Sequence, residues 1–144
     1  MDDESLNQNR SEVEFSGSCL CGGVAFSLVG RFDAFYLCHC HRCQKGTGSL
    51  HGANLFSHHL VLNWRRGEAL LQHFQLANSR HRRCFCKVCG SPMPYRLDEF
   101  NLVVPAGCLD VEVPIAPMAK LFLAEKAKWG EALSSVPGFD RLPE

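Results

Sequence analysis

Short runs of apolar residues, separated by turn-forming residues, recur along most of the chain. Runs of this length, rich in aromatic and branched side chains and bounded by glycine or proline, predict β-strands. The predicted strands are Val13–Phe15, Val24–Val29, Phe32–Cys38, His51–Phe56, Val61–Trp64, Leu70–Phe74, Arg82–Cys86, Leu102–Val104 and Ala119–Leu123. Many strands with little helix predict a mainly β, predominantly antiparallel domain.

Three segments depart from this strand pattern. His41–Gly46 predicts a single helical turn, and Lys126–Ser135 predicts a short helix or an irregular segment. Residues 1–12 are polar and charged without periodicity, which predicts a disordered N-terminal tail. A chain of 144 residues has the size of one domain. We therefore expect one domain over residues 13–144.

The charges of the chain balance. Fifteen Lys and Arg residues face fifteen Asp and Glu residues, so the formal net charge is zero. A neutral chain has no overall field to attract a polyanion, so nucleic acid is not an expected partner. Arginine is nevertheless concentrated at Arg65–Arg66 and at Arg80, Arg82 and Arg83. The favoured interpretation of these charges is a solvated face.

The sequence also predicts where the cysteines reside. No apolar run approaches the roughly 20 residues that a membrane span needs, so no membrane association is expected. The acidic start of the chain lacks the basic and apolar regions of a signal peptide. We therefore expect a cytoplasmic protein. In that reducing compartment, closely spaced cysteines are metal ligands more often than disulfides.

Eight of the nine cysteines lie in three tight clusters, and Cys108 stands apart. The clusters are Cys19-x-Cys21, Cys38-x-Cys40-x-x-Cys43 and Cys84-x-Cys86-x-x-Cys89. Thiolates at such short spacing favour a tetrahedral metal, with zinc as the first candidate. Clusters of two, three and three ligands make either two closed sites or one closed and one open site.

Four of these cysteines form a complete set of ligands for one ion. Alternate residues of a strand point to the same face, so Cys19 and Cys21 can present two sulfurs together. Cys86 and Cys89 form a knuckle in which Gly90 relieves the tight turn. The four thiolates match a closed structural zinc site.

Cys38, Cys40 and Cys43 remain as a second group. Three protein ligands with one open position are typical of reactive zinc, and a substrate thiol there would become the nucleophilic thiolate. Cys84 lies two residues before Cys86 and would share its face of a strand. Cys84 either competes for the first ion, completes and closes the second site, or stays unligated, and the unligated thiol is the favoured interpretation.

With these motifs in hand, the chain resembles the glutathione-dependent formaldehyde-activating enzyme family over about residues 13–142. The motifs that carry the resemblance are Gly17–Gly23, Cys38–Cys43, Phe85–Pro92, Ala106–Asp110 and the late Trp129. Three ordered cysteine motifs are far more specific than a single Cys-x-x-Cys.

The resemblance implies a β-tent, Mss4-like zinc-binding fold with two zinc ions. It places Cys19, Cys21, Cys86 and Cys89 on the structural zinc, and Cys38, Cys40 and Cys43 on the open zinc with glutathione nearby. The implied activity is that of a carbon–sulfur lyase, which adds glutathione or a related thiol reversibly to formaldehyde or another small aldehyde. The same domain occurs in centromere protein V. The alternative is therefore a non-catalytic, zinc-stabilised module that carries glutathione or binds protein or nucleic acid.

Several residues beside the ligands complete the expectations. Gln44 and Lys45 follow the open site and are predicted to meet the carboxylates of a peptide-like thiol, although a solvated Lys45 is the simpler interpretation. Cys108 and Lys120 depart from the family's usual residues, and Cys108 is expected to be a packed core thiol. The sequence predicts neither the oligomeric state nor the residue that transfers the proton.

Overall fold

The computed structural model describes residues 13–143, so the predicted tail over residues 1–12 lies outside the described residues. The described chain forms ten strands, one short α-helix and four 3₁₀ helices. The strands are β1 Glu14–Ser18, β2 Ala25–Val29, β3 Ala34–Cys38, β4 Gly52–Ser57, β5 Val61–Arg66, β6 Leu71–Gln75, β7 Arg82–Cys86, β8 Tyr95–Arg96, β9 Leu102–Pro105 and β10 Ala119–Leu121. The helix α1 is His41–Thr47, and the 3₁₀ helices are Glu68–Leu70, Ala106–Cys108, Leu123–Glu125 and Lys128–Ser135.

The strands assemble into three sheets. The first has the order β1-β2-β5, the second β10-β3-β4-β9-β8, and the third is the pair β6-β7. All pairs are antiparallel except β10 with β3, which run parallel. The prediction of a mainly β, predominantly antiparallel domain is therefore confirmed. Within the described part of the chain, no helix combines the length and the apolar character needed to cross a membrane.

The core lies between the sheets and reaches the cysteine motifs. Its largest fully buried side chains include Phe26, Leu28, Leu55, Met93, Leu102, Val103 and Val104. Strand β2 lies between β1 and β5, so its side chains are buried over most of its length. On β7, Cys84 and Cys86 alternate with more exposed neighbours and both face the core. The strand that delivers Cys86 is thus fixed by packing.

The structure differs from the strand pattern at two places near the motifs. Residues 19–23 form a turn instead of a strand, because the Cys19 N–H bonds the Val24 carbonyl and the Gly22 N–H bonds the Cys19 carbonyl. The sulfurs of Cys19 and Cys21 therefore converge through a turn and not through strand alternation. Strand β8 was not predicted, because Pro92 and Pro94 interrupt its apolar pattern.

A close backbone contact positions the turn that carries Cys19 and Cys21. Gly67 begins the 3₁₀ helix Glu68–Leu70 with φ +76°, in the region that favours glycine. A Cβ atom on Gly67 would overlap the carbonyl group of Gly23, which belongs to that turn. Only glycine therefore fits at this crossing without moving backbone.

We expect the substitution Gly67→Ala to lower the free energy of unfolding by more than about 2 kcal/mol, since it combines an unfavourable φ with backbone overlap. Chemical denaturation measures this change. Gly138→Ala is the control, because a Cβ there meets no atom within 4 Å. Equal stabilities of the two variants would contradict the importance of this contact.

Candidate metal centres

The structure brings Cys19, Cys21, Cys86 and Cys89 together as a four-cysteine group. Their sulfurs all lie within 4.8 Å of one another. The Sγ atoms of Cys19 and Cys21 are 3.6 Å apart, and those of Cys21 and Cys86 are 3.9 Å apart. Thiolates about 2.3 Å from a central zinc have tetrahedral edges of about 3.8 Å. The donor set therefore fits a tetrahedral zinc ion.

Backbone hydrogen bonds shape both turns of the four-cysteine group. The Gly22 N–H donates to the Cys19 carbonyl at 3.1 Å, and the Gly90 N–H donates to the Cys86 carbonyl at 2.7 Å. Gly22 and Gly90 both have φ +79°. The Val24 N–H points at Cys19 Sγ, 3.2 Å away. Two glycine turns thus present their sulfurs to the same point, with N–H groups available to stabilise thiolates.

Ser91 links the two turns. Its Oγ accepts a 2.9 Å hydrogen bond from the Leu20 N–H and lies 3.3 Å from Cys89 Sγ. Hydrogen bonding from Ser91 lowers the pKa of Cys89 to about 5. Metal ligation requires the thiolate form of cysteine. The surroundings of Cys89 therefore favour the form that binds a metal at neutral pH.

Cys38, Cys40 and Cys43 form a second group, the three-cysteine group, whose sulfurs also lie within 4.8 Å of one another. Cys38 ends β3, Cys40 caps the N-terminus of α1, and Cys43 lies in its first turn. The Cys43 N–H donates to Cys40 Sγ at 3.4 Å. All three residues are partly exposed. The group thus offers three converging donors at a site that solvent can reach.

The three sulfurs differ in their ease of ionisation. Burial raises the pKa of Cys38 and of Cys43. Burial opposes the ionisation of Cys40 most strongly, but hydrogen bonds from the Cys43 backbone, the neighbouring thiols and the Arg42 backbone together outweigh it, so the pKa of Cys40 is lowered. Cys40 therefore ionises first, because a helix N-terminus supplies hydrogen bonds to its thiolate.

The C-terminal part of the domain holds the three-cysteine loop in place. Strand β10 pairs with β3, and the His39 N–H donates to the Leu121 carbonyl at 2.9 Å. Glu125 Oε1 lies 3.2 Å from both the backbone N and the Nδ1 of His41. Gln44 Nε2 donates to the His39 carbonyl at 2.8 Å and to the Glu125 carbonyl at 3.0 Å. Protein contacts thus support this loop from both β10 and the Glu125 segment.

Gln44 and Lys45, the residues suggested to contact a thiol substrate, have different surroundings in the structure. The amide nitrogen of Gln44 is bound to two backbone carbonyls, and Lys45 is exposed. Neither residue is among the described residues that line the adjoining cavity. Their contact with a thiol substrate stays a prediction, whereas a structural role for Gln44 follows directly from its hydrogen bonds.

A cavity of about 890 Å³ adjoins the three-cysteine group, and Cys38 and Cys43 line it. Four arginines also line it, and we name them the arginine cluster: Arg42, Arg80, Arg82 and Arg83. Sequence reasoning interpreted the last three as a solvated face. The structure leaves Arg80 and Arg82 exposed, yet all four arginines line the cavity that Cys38 and Cys43 also line. Their shared location was hidden because Arg42 is distant from the others in sequence.

The two remaining cysteines lie outside both groups. Cys84 and Cys108 are buried and line the cavity. Burial raises the pKa of Cys84 to about 11 and that of Cys108 to about 12, so both remain thiols at neutral pH. Cys84 Sγ lies 4.0 Å from His73 Nε2. This placement leaves the three-cysteine group with three donors, as expected for an unligated Cys84.

His39, between two members of the three-cysteine group, is buried beneath the loop. Its ring packs edge-on against His51, with centroids 5.0 Å apart. Among the described residues, neither ring nitrogen of His39 has a hydrogen-bond partner. Burial lowers its pKa, so the ring is neutral at pH 7. The structure therefore supports packing as the role of His39.

Cys84 and Cys86 form a matched pair on β7, and we expect substitution of Cys86, but not of Cys84, to lower the metal content. Cys86→Ala should remove one ion per chain and lower the free energy of unfolding by at least about 3 kcal/mol, because metal binding contributes to folding. Cys84→Ala should keep the metal content of the parent chain. Elemental analysis and thermal unfolding test both variants, and equal metal loss would contradict the grouping.

Gln44 and Lys45 are a second matched pair, adjacent on α1. Gln44→Ala removes two hydrogen bonds to backbone carbonyls, so we expect about 1–2 kcal/mol less stability and weaker metal retention by the three-cysteine group. Lys45→Ala should change stability by less than about 0.5 kcal/mol. Denaturation and competition with a chelator measure these effects. A larger loss in Lys45→Ala would contradict the structural role of Gln44.

Comparison with known proteins agrees with these features. The family model described as glutathione-dependent formaldehyde-activating enzyme matches residues 14–125. A search of curated proteins found no significant match. A crystal structure of a Rhodobacter sphaeroides protein, a structural-genomics target, is similar with a TM-score of 0.52 and 22% identity, covering 73% of this chain and 98% of that chain. This likeness supports the fold, and the predicted β-tent, Mss4-like architecture is confirmed. Because the matched residues include every member of both cysteine groups, the chain belongs to the glutathione-dependent formaldehyde-activating enzyme family.

Proposed function

We propose that the protein is a zinc-dependent carbon–sulfur lyase, which adds the thiol of glutathione or a related compound reversibly to formaldehyde or another small aldehyde. The observation that carries this proposal is the three-cysteine group: three converging sulfurs, two of which line a cavity of about 890 Å³. Membership of a family that contains formaldehyde-activating enzymes supports the same chemistry.

The two cysteine groups have different proposed roles. The four-cysteine group supplies a full tetrahedral set, so its zinc ion would stabilise the fold and leave no position for a substrate. The three-cysteine group leaves one position for an external thiol. Zinc held by its three thiolates would supply a Lewis acid that lowers the pKa of that thiol. We place the reaction in a reducing compartment, the cytoplasm, because all nine cysteines are free and ligation requires reduced sulfur.

The reaction forms one bond between the substrate sulfur and the aldehyde carbon. The electron pair of the carbonyl π bond moves to the oxygen, which takes up a proton, while the thiol proton leaves to solvent. The product is an S-hydroxymethyl thioether, and the reverse steps release the aldehyde. Water or a hydroxyl on the cavity wall carries the proton. Tyr95 lines this wall, and burial raises its pKa to about 12, so its phenol is a protonated donor at neutral pH.

Glutathione should bind at the three-cysteine group of the cobalt-substituted protein and add a fourth sulfur ligand. We expect the thiolate-to-cobalt absorption to increase and to saturate during a glutathione titration. Cys43→Ser should lose this response. Cys84→Ala, which changes a cavity thiol outside both groups, should keep it. An absorption that glutathione leaves unchanged in the parent protein would overturn the open-site assignment.

Turnover separates a lyase from a glutathione carrier. Exchange spectroscopy by NMR can follow the interconversion of glutathione with its formaldehyde adduct and compare it with the uncatalysed rate. We expect acceleration by the parent protein and by Cys84→Ala, and the uncatalysed rate with Cys43→Ser. Saturable glutathione binding without acceleration would instead identify a carrier, the non-catalytic alternative.

A further inference from the structure

The cavity beside the three-cysteine group has a strong excess of positive charge. Four arginines line it, whereas Asp110 is the single carboxylate among its described lining residues. That carboxylate is already engaged, because the Ser18 hydroxyl lies 2.9 and 2.8 Å from its two oxygens. The chain as a whole has no net charge, so this excess is local. Like charges gathered with few counter-charges repel one another, and an anionic ligand relieves that repulsion.

Two members of the cluster have neither an ion pair nor a side-chain hydrogen bond within the described chain. Arg80 lies 3.7 Å from Asp98, and Arg82 donates to the Arg96 carbonyl at 3.4 Å. Among residues 13–143, neither Arg42 nor Arg83 has a carboxylate oxygen within the 4.0 Å of an ion pair. Their guanidinium groups therefore retain donors for a ligand.

Arg83 is held against the helix that carries the sulfurs. A Cβ atom on Gly46 would lie 3.3 Å from both Cδ and Nε of Arg83, so the side chain packs across α1 three residues beyond Cys43. The guanidinium carbon also lies 5.6 Å from the ring centroid of Phe85. These two contacts restrict the Arg83 side chain. The conformational entropy lost when a ligand binds to it is therefore smaller.

Arg42 and Arg83 act on the same part of the cavity. His81 lines it too, and burial followed by the charges of Arg42 and Arg83 lowers the pKa of His81. Arg42 directly precedes Cys43 in the chain, so a charge and a candidate ligand are carried by the same helical turn. Positive charge from two separate elements, α1 and β7, thus converges near the sulfurs.

We propose that the arginine cluster is an anion-recognition site that selects thiols bearing carboxylate groups, with Arg42 and Arg83 as the specificity-determining residues. This inference rests on the proposed function. A guanidinium binds a carboxylate through two parallel, charge-assisted hydrogen bonds, which a neutral ester cannot replace. Gln44 and Lys45, the residues that the sequence suggested for this role, lie off the cavity. A concave wall shared with Cys38 and Cys43 favours a small thiol over an extended polyanion.

The test compares thiols that differ only in charge. Isothermal titration of the zinc-loaded full chain would measure glutathione, its monoethyl ester and its diethyl ester at low ionic strength. We expect glutathione to bind at least about tenfold more tightly than the diester, and this preference to shrink at high salt. Arg83→Gln should reduce the preference to about threefold or less by weakening glutathione binding alone. Arg83→Lys should keep part of the preference for glutathione, because the positive charge remains but the two parallel hydrogen bonds of the guanidinium are lost.

Control variants keep the test decisive. Arg65→Gln should behave as the parent chain, since Arg65 pairs with Glu14 at 2.6 Å and does not line the cavity. Arg42→Gln, on a different element, provides the same test should Arg83→Gln fold poorly.

Equal binding of glutathione and its diester by the parent chain would overturn the inference and leave the proposed function intact. Failure of every thiol to bind would overturn the proposed function itself. Salt-sensitive oligonucleotide binding that Arg83→Gln abolishes, with thiol preference unchanged, would overturn the inference in favour of nucleic acid.

Discussion

The convergence of two cysteine turns is the constraint on which the rest of the molecule depends. Cys21 and Cys86 are 65 positions apart in the chain, yet their sulfurs are 3.9 Å from each other. Four thiolates this close repel one another without a cation, so a metal ion held by these four sulfurs would balance their charge and stabilise the contact. Closing that contact joins the end of β1 to the end of β7. The close backbone contact between Gly67 and Gly23 depends on the same convergence, because Gly23 belongs to the turn that carries Cys19 and Cys21.

The loop of the three-cysteine group is supported by many contacts with the rest of the protein. Its loop is positioned by a parallel strand pair and by hydrogen bonds from Gln44 to the His39 and Glu125 carbonyls. Protein contacts therefore help to bring these three sulfurs together. A preorganised site of three donors can exchange its fourth ligand without disturbing the fold, which is the property that a substrate-binding metal requires.

Much of this arrangement could be predicted from local sequence, and the rest depends on contacts between distant segments. Cysteine spacing and turn glycines predicted both groups, because those signals lie within a few residues. Strand β8 was not predicted because Pro92 and Pro94 precede it and because its short pairing depends on β9, which is a different segment of the chain. Arg42 and Arg83 are far apart in the sequence. Their common location becomes visible only in the structure, where the Arg83 side chain packs against Gly46 of the helix that carries Arg42. The structural role of Gln44 was not visible in local sequence for a related reason, because its amide nitrogen donates to a carbonyl of the distant Glu125 segment.

The charge of the open site gives the arginine cluster a second physical reason to exist. Zinc held by three thiolates carries a formal charge of about −1, and an incoming thiolate would increase it to about −2. Such a centre repels a thiol that also bears carboxylates, and burial strengthens the repulsion. At the proposed site, the guanidinium groups on the cavity wall would offset that negative charge and would also bind the carboxylates. The two proposals are thus coupled by electrostatics, because a three-thiolate zinc that activates a thiol would need positive charge beside it before an anionic thiol could enter.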